Sequence, residues 1–211
     1  PLADWLESRL NRRVTLANDG NCAVVGEAWL GAARGVDDVV LLTLGTGVGG
    51  GVLLRGELFT GYNGAAAEPG LIGVQPDGPA CNSGNRGSLE QFASITGLRR
   101  LCDRDPRELS AEADAGDPEA LEVWSRYGER LGCGVASLVY VFTPQLVLLG
   151  GGLAGAARHF LPAVRREVES RVQAVSREGL RIEAACLGNG AGRLGAARLA
   201  LQRLNGMMAP D

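Results

Sequence analysis

Val39-Val40-Leu41-Leu42-Thr43-Leu44-Gly45-Thr46-Gly47-Val48-Gly49-Gly50-Gly51-Val52-Leu53-Leu54 is the stretch on which the fold turns. Val39 to Leu44 is a continuous apolar run, the pattern of a strand covered on both faces. Gly45, Gly47 and Gly50 then satisfy G-x-G-x-x-G, the dinucleotide fingerprint by spacing alone. That fingerprint needs a helix next, so that its N-terminus faces a pyrophosphate. Here Val52-Leu53-Leu54 resumes β character and Arg55-Gly56-Glu57 spells a turn. A strand-glycine-strand hairpin also holds phosphate, because successive backbone N–H groups form an anion-binding concavity. Thr46 places a hydroxyl inside that loop and favours phosphate over an ordinary glycine-rich hairpin. A nicotinamide-binding protein is the competing use of the same glycines and requires the helix.

Outward from the hairpin, two more glycine runs follow strands. Leu146 to Leu149 is an apolar strand ending in Gly150-Gly151-Gly152, and a helix from about 156 to 173 comes next. Three glycines at the C-terminal end of a strand let a flat ligand lie on the backbone; a tight strand-to-helix turn is the plainer alternative. Gly188 to Gly192 follows a strand near Ile182 to Leu187 and reads as packing and turn. The last helix runs from about Arg193 to Leu204. Upstream, Leu2, Trp5, Leu6 and Leu10 have helical spacing, and Val14 to Ala17 reads as a short strand. Ser88 with Gln91 three residues on is a capping-box signature, leading a face of Leu89, Phe92, Ile95 and Leu98. Asp117-Pro118 opens a long helix that must end before Pro144. Strands and helices so interleaved give an α/β layered architecture, with residues 1–35 as the tail of one domain, 36–205 a second, and 206–211 a tail.

Three carboxylates stand at loop edges. Asp19 follows the 14–17 segment and opens a helix to about Gly31; it is either a plain N-cap or a carboxylate aimed into a cleft beside Asn18. Glu68 lies in a glycine- and alanine-rich loop with no local reason for its charge. Glu90 lies in the first turn of a helix, where the dipole alone favours it. Together with a phosphate hairpin they suggest a polyol pocket.

Composition narrows the chemistry. All 21 basic residues of the 211 are arginine. Without lysine there is no Walker A loop and no Schiff-base chemistry from a side chain. The net charge of -3 and the lack of a basic run argue against nucleic acid. No apolar stretch reaches the roughly 18 residues that span a bilayer. Five scattered cysteines read as reduced, mostly buried thiols of a cytoplasmic protein. Pro1 inside a running helix, with no initiator methionine, reads as a piece of a longer chain. His159 and the arginine face of Arg165, Arg166 and Arg171 are assigned no role beyond a solvated helix surface.

With these residues in view, the chain resembles the ROK (repressor, open reading frame, kinase) family of sugar kinases. Asn18-Asp19-Gly20-Asn21-Cys22-Ala23 is similar to its N-D-A-N-A-A segment. Leu44 to Gly51 is close to its second phosphate motif, Thr143 to Gly152 to its N-P-x-x-I-V-L-G-G-G adenosine motif, and Gly195-Ala196-Ala197 to its closing helix. The resemblance implies an actin/hexokinase-like (ribonuclease H-like) lobe with a mixed sheet flanked by helices, and transfer of the γ-phosphate of ATP, with Mg²⁺, to a hydroxyl of a hexose or N-acetylhexosamine. It implies Asp19 as general base, with Asn18, Glu68 and Glu90 on other hydroxyls. Gly45, Thr46, Gly47 and Gly49 would hold phosphates and Gly150, Gly151 and Gly152 the adenosine. It further implies a homodimer, for which the apolar helix 118–142 is the candidate surface.

Departures from the pattern carry their own expectations. Glu68-Pro69-Gly70-Leu71 replaces E-x-G-H, so the histidine is gone. Of the family's zinc cysteines only Cys81 survives, with Ser83 and Ser88 beyond it; one thiolate cannot build a tetrahedral site, so no structural zinc and no other metal ligand is expected. Another contact must then order the 60–87 loop, or it is mobile. The family's first phosphate motif and most of the N-terminal lobe do not occur in the chain. A non-catalytic sugar-responsive regulator, or an inactive truncated relative, is the alternative to a glucokinase-like enzyme.

Overall fold

The computed structural model describes residues 1–206, so most of the 206–211 tail lies outside the described residues. A five-stranded mixed sheet lies at the centre, in the order β3-β2-β1-β4-β5. β1 (Val39–Leu44) pairs antiparallel with β2 (Val48–Leu54) and parallel with β4 (Leu146–Gly150). The short β3 (Glu57–Leu58) extends β2, and β5 (Arg181–Ala184) runs parallel to β4. A strand therefore follows Gly47, and the dinucleotide reading falls with it.

The apolar run of β1 is explained by cover on both sides. Val39 and Leu41 face α2 (Asp19–Leu30) and α8 (Ala191–Leu204), in one cluster with Val24, Leu148 and Leu199. Val40, Leu42 and Leu44 face the opposite layer, in a larger cluster with Leu131, Val135 and Val164. The period of two along a strand divides its side chains in this way. The larger layer is built on α6 (Pro118–Phe142) and α7 (Ala157–Arg171). Gly128 and Gly132 let these helices approach, since a Cβ on Gly128 would lie 2.8 Å from Ala163 Cβ. Trp124, Tyr127 and Phe160 fill the junction with ring centroids 5.1–5.7 Å apart, and the Tyr127 hydroxyl donates to the Ala93 carbonyl at 2.7 Å.

Several expectations change here. Val14 to Ala17 belongs to no strand; the Val14 N–H goes instead to Glu7 Oε1 at 2.8 Å, and its carbonyl accepts from Arg203. α1 (Leu2–Leu10) forms as expected but buries none of its residues. The capping box at Ser88 does not close. α3 (Glu90–Ala93) breaks at Ser94, whose hydroxyl accepts from Gly97 N at 3.2 Å and caps α4 (Ile95–Arg99). A further helix, α5 (Pro106–Asp114), starts with the same Asp-Pro signature as α6. Much of the apolar face of 118–142 packs into the core, with Trp124, Tyr127, Leu131 and Leu138 buried, while Leu121, Tyr140 and Val141 stay exposed. Among the cysteines only Cys22 and Cys81 are buried. Arg165 is exposed, as a solvated face requires, and its guanidinium also donates to the Ile182 carbonyl at 2.7 Å. His159 has little exposure: it lies against Trp124, its Nε2 3.1 Å from Asp114 Oδ1 but outside hydrogen-bond alignment.

Candidate active site

Because β1, β4 and β5 are parallel, their C-terminal ends share one edge of the sheet, the usual place for ligands in α/β folds. The β1–β2 turn, Gly150–Gly152 and the loop after β5 all leave from that edge. Gly151 holds φ +83°, and a Cβ there would run into the Leu44 backbone. The two leading glycine clusters are thus neighbours, Gly151 resting on the foot of the hairpin. At the hairpin tip Gly45 N donates to Gly47 O at 3.0 Å, and Ile95 N donates to Gly45 O at 2.8 Å. Thr46 is exposed, and nothing lies within 4 Å of a Cβ built on Gly45. The tip is pinned from behind and open in front.

Gly49, Gly50 and Gly51 have a different job. A Cβ on Gly50 would lie 2.6 Å from Pro69 Cγ, and one on Gly51 would lie 2.8 Å from the Gly20 carbonyl. Gly49 is nearest Thr43, its Cβ position 3.0 Å from Oγ1. The glycine run lets the N-terminal end of α2 and the 3₁₀ turn Pro69–Leu71 press onto the backbone of β2. Gly45, Thr46 and Gly47 form the open tip of the hairpin, and Gly49 lies just behind it beside Thr43.

That packing gathers the carboxylates. Asn18, not Asp19, caps α2: its Oδ1 accepts from Gly20 N at 2.8 Å and Asn21 N at 3.1 Å. Asp19 is the first helical residue, exposed, with Oδ1 also accepting from Gly20 N at 2.9 Å. Burial first, then the Asp19 carboxylate, pushes the neighbouring Cys22 thiol above its ordinary pKa. Glu68 is exposed immediately before the Pro69 turn, and Gly70 packs against the Val48 backbone. Glu90, half-buried in α3, accepts from Val48 N through Oε2 at 3.1 Å. Glu90 thus bonds β2 directly, while Gly20, next to Asp19, and Pro69 and Gly70, next to Glu68, pack on the same strand. A separate cavity of about 890 Å³ is lined by another face of α2 (Asn18, Asn21, Val25, Trp29) and by α8. It excludes Asp19, Glu68 and Glu90.

The 72–88 loop is ordered by its own backbone. Gly73 bridges Ser88 and Ala80 bridges Arg86. Gly87 N donates to Pro79 O, Cys81 N to Asn85 O and Leu89 N to Ile72 O, all at 2.8–2.9 Å. Leu71 stands at the expected histidine position, and its carbonyl accepts from Asn85 Nδ2 at 3.1 Å. Hydroxyls of Ser83 and then Ser88 beside Cys81 hold its thiol below the usual range; the Ser88 oxygen is buried and reaches no partner at regular hydrogen-bond geometry. Among the described residues no cluster of three His, Cys, Asp or Glu could hold a metal. A chelator such as EDTA is expected to leave the melting temperature unchanged; a drop of several degrees, restored by zinc, contradicts this account of the loop.

Sequence reasoning passed over Glu27. It is fully buried in α2 and accepts from Ala32 N at 2.8 Å, Leu187 N at 2.8 Å and Cys186 N at 3.1 Å. The available signal was a lone charge inside the otherwise apolar run from Cys22 to Trp29.

Comparison with known proteins gives the family. Residues 1–203 match the profile of the ROK family. The glucokinase of Thermotoga maritima is 37% identical over 98% of this chain and 71% of its own length. The xylose repressor of Bacillus subtilis is 28% identical, over 98% of this chain and 55% of its own. A ROK family glucokinase from Streptomyces griseus, solved with glucose and AMPPNP, superposes with a TM-score of 0.85 at 34% identity, covering 96% of this chain and 72% of that one. Neighbours of this kind have the actin/hexokinase-like fold, and with the profile match the chain belongs to the ROK family.

Proposed function

We propose that this chain carries the acceptor-sugar and nucleotide-edge machinery of an ATP-dependent hexose kinase of the glucokinase type. The observation that carries the reading is Asp19. It is exposed, leaves the bidentate cap to Asn18, and is followed by Gly20, which packs on the strand that leaves the hairpin. In this reading Asp19 accepts the proton of a sugar hydroxyl as the hydroxyl attacks the γ-phosphorus. Phosphoryl transfer asks little more of a protein than alignment and charge stabilisation. The Asn18 carbonyl oxygen is committed to the helix, so its amide NH₂ is what it offers a sugar. Glu68 offers an uncommitted carboxylate, and Glu90 offers Oε1 while Oε2 holds Val48. Backbone of Gly45–Gly47 with the Thr46 hydroxyl would receive phosphates, and Gly150–Gly152 the adenosine. Mg²⁺ suits the exposed oxygen donors Thr46 and Asp19, since it takes most of its ligands from phosphates and water; when bound it neutralises charge on the transferring phosphoryl group. Residues 1–35 would belong to the lobe bearing the Asp19 motif and 36–205 to the nucleotide lobe. The unpaired cysteines suit a reducing, cytoplasmic setting.

The test is an ADP-release assay on the full-length protein with ATP and a panel of hexoses and N-acetylhexosamines. Transfer to at least one sugar is expected. Sugar binding by calorimetry without any transfer favours the second reading, a sugar-responsive regulator, for which Leu71 in the histidine position and the match to a repressor speak.

A further inference from the structure

We infer that Glu27 is a positioning residue that locks the helix bearing Asp19 to the loop leaving β5, holding the sugar-side carboxylate and the nucleotide edge of the sheet in one fixed relation. The inference rests on the kinase reading for its catalytic consequence. Glu27 is 0% exposed, and among the described residues no cation pairs with it. A buried carboxylate is costly unless its oxygens are saturated by hydrogen bonds. Here backbone donors saturate them: Ala32 N on Oε2, and Cys186 N with Leu187 N on Oε1. The Cys186 thiol also approaches Oε2 at 3.6 Å. Its pKa is raised, first by desolvation of the sulfur and then by the carboxylate.

The donors are specific in place. Ala185 N makes the last rung of the β5 ladder, to Leu149 O at 2.9 Å. Cys186 and Leu187 come directly after that rung, and their N–H groups turn to Glu27 instead of a strand. Ala185 in turn abuts Gly150, whose Cβ position lies 3.3 Å from Ala185 Cβ. Gly31 must be glycine for the lock to fit, because a Cβ there would strike Glu27 Oε2. Eight residues of helix, about 12 Å, separate Glu27 from Asp19, and the intervening Gly20 and Val24 pack on β2. A continuous line of contacts thus runs from Asp19 through α2 and Glu27 to Ala185 and the Gly150 loop.

The test uses Glu27→Ala and Glu27→Gln in the full-length protein, beside Val164→Ala, a core truncation in the opposite layer that lowers stability without touching this line. For Glu27→Ala, kcat is expected to fall by about tenfold or more while sugar KM moves little. Glu27→Gln keeps one carbonyl acceptor for the two loop amides and is expected to recover much of that loss. Amide exchange should accelerate in Glu27→Ala both at Cys186–Leu187 and at the Gly20–Val24 end of α2. Exchange confined to 185–187, or a kcat loss no greater than that of Val164→Ala, overturns the inference. If Glu27→Ala fails to fold, exchange in Glu27→Gln decides: faster exchange at both sites supports the lock, and change at one site alone overturns it. If the wild type transfers no phosphate, the kinase reading fails, while the exchange measurements still decide whether helix and loop are coupled.

Discussion

Asp19→Asn in the full-length protein is expected to lower kcat by roughly 10²–10⁴-fold, the usual contribution of a positioned general base, with little change in sugar KM. The geometry makes this a clean experiment. Capping belongs to Asn18, so the substitution removes charge and basicity but leaves the helix start intact. The loss of a first-turn carboxylate costs only about 0.3–1 kcal/mol through the helix dipole. Asn18→Ala makes the useful contrast. It removes the acceptor for Gly20 N and Asn21 N and should cost about 1 kcal/mol of stability. Two adjacent substitutions should therefore separate, Asp19→Asn lowering kcat with the helix start intact and Asn18→Ala lowering stability and raising sugar KM. An Asp19→Asn enzyme turning over at the wild-type rate would sink the assignment of the base.

Gly195→Ala is expected to destabilise the fold by about 2 kcal/mol or more, although it replaces the poorer helix former by the best. Intrinsic propensity favours alanine by ~1 kcal/mol. Against this, a Cβ on Gly195 would collide with the Cys22 backbone, and the reciprocal contact of Gly26 with the Ala191 carbonyl shows the same intimacy one turn away. Here two backbones meet, so no flexible side chain can yield, and overpacking of this kind costs ~1–3 kcal/mol beyond any propensity gain. For a chain of this size the melting temperature should fall by about 4–8 °C. Gly192→Ala in the same helix has nothing within 4 Å of the new methyl and should be neutral or stabilising by up to ~1 kcal/mol. Thermal unfolding of the pair checks the prediction; Gly195→Ala melting at or above the wild-type temperature contradicts it. Because Cys22 lies one turn from Asp19, activity should fall with stability in Gly195→Ala alone.

The sequence was legible where local rules decide structure. Val39–Leu44 and Leu146–Leu149 were readable as strands because both faces are buried and every residue is apolar or nearly so. Asp117-Pro118 marked its helix because cap and first turn are local chemistry; Asp105-Pro106 carried the same signal and was overlooked. Failures occur where a distant partner decides. Val14–Ala17 looks like a strand but finds no ladder in this chain. Ser88 matches a capping box, yet its residue is drawn into a bridge with Gly73 and capping falls to Ser94. Gly50 completes the G-x-G-x-x-G spacing, whereas the approach of Gly20 and Pro69 to its backbone is what dictates it. Glu27 is intelligible only once Cys186 and Leu187, far along the chain, are beside it.

The pairing of β1 has a kinetic side. Its antiparallel partner β2 follows at once, Leu44 meeting Val48 across the turn, whereas its parallel partner β4 is roughly a hundred residues away and is tied in by Gln145 Oε1 accepting from Asp37 N and Asp38 N at 3.2 Å. Local closure is fast and distant closure must first overcome loop entropy. The hairpin can thus assemble early and wait as a template, while Gly150–Gly152 reaches its place only when the rest of the lobe has been threaded around it. On this ground the hairpin side of the sheet edge is expected to form first and the Gly150 side to be shaped against it.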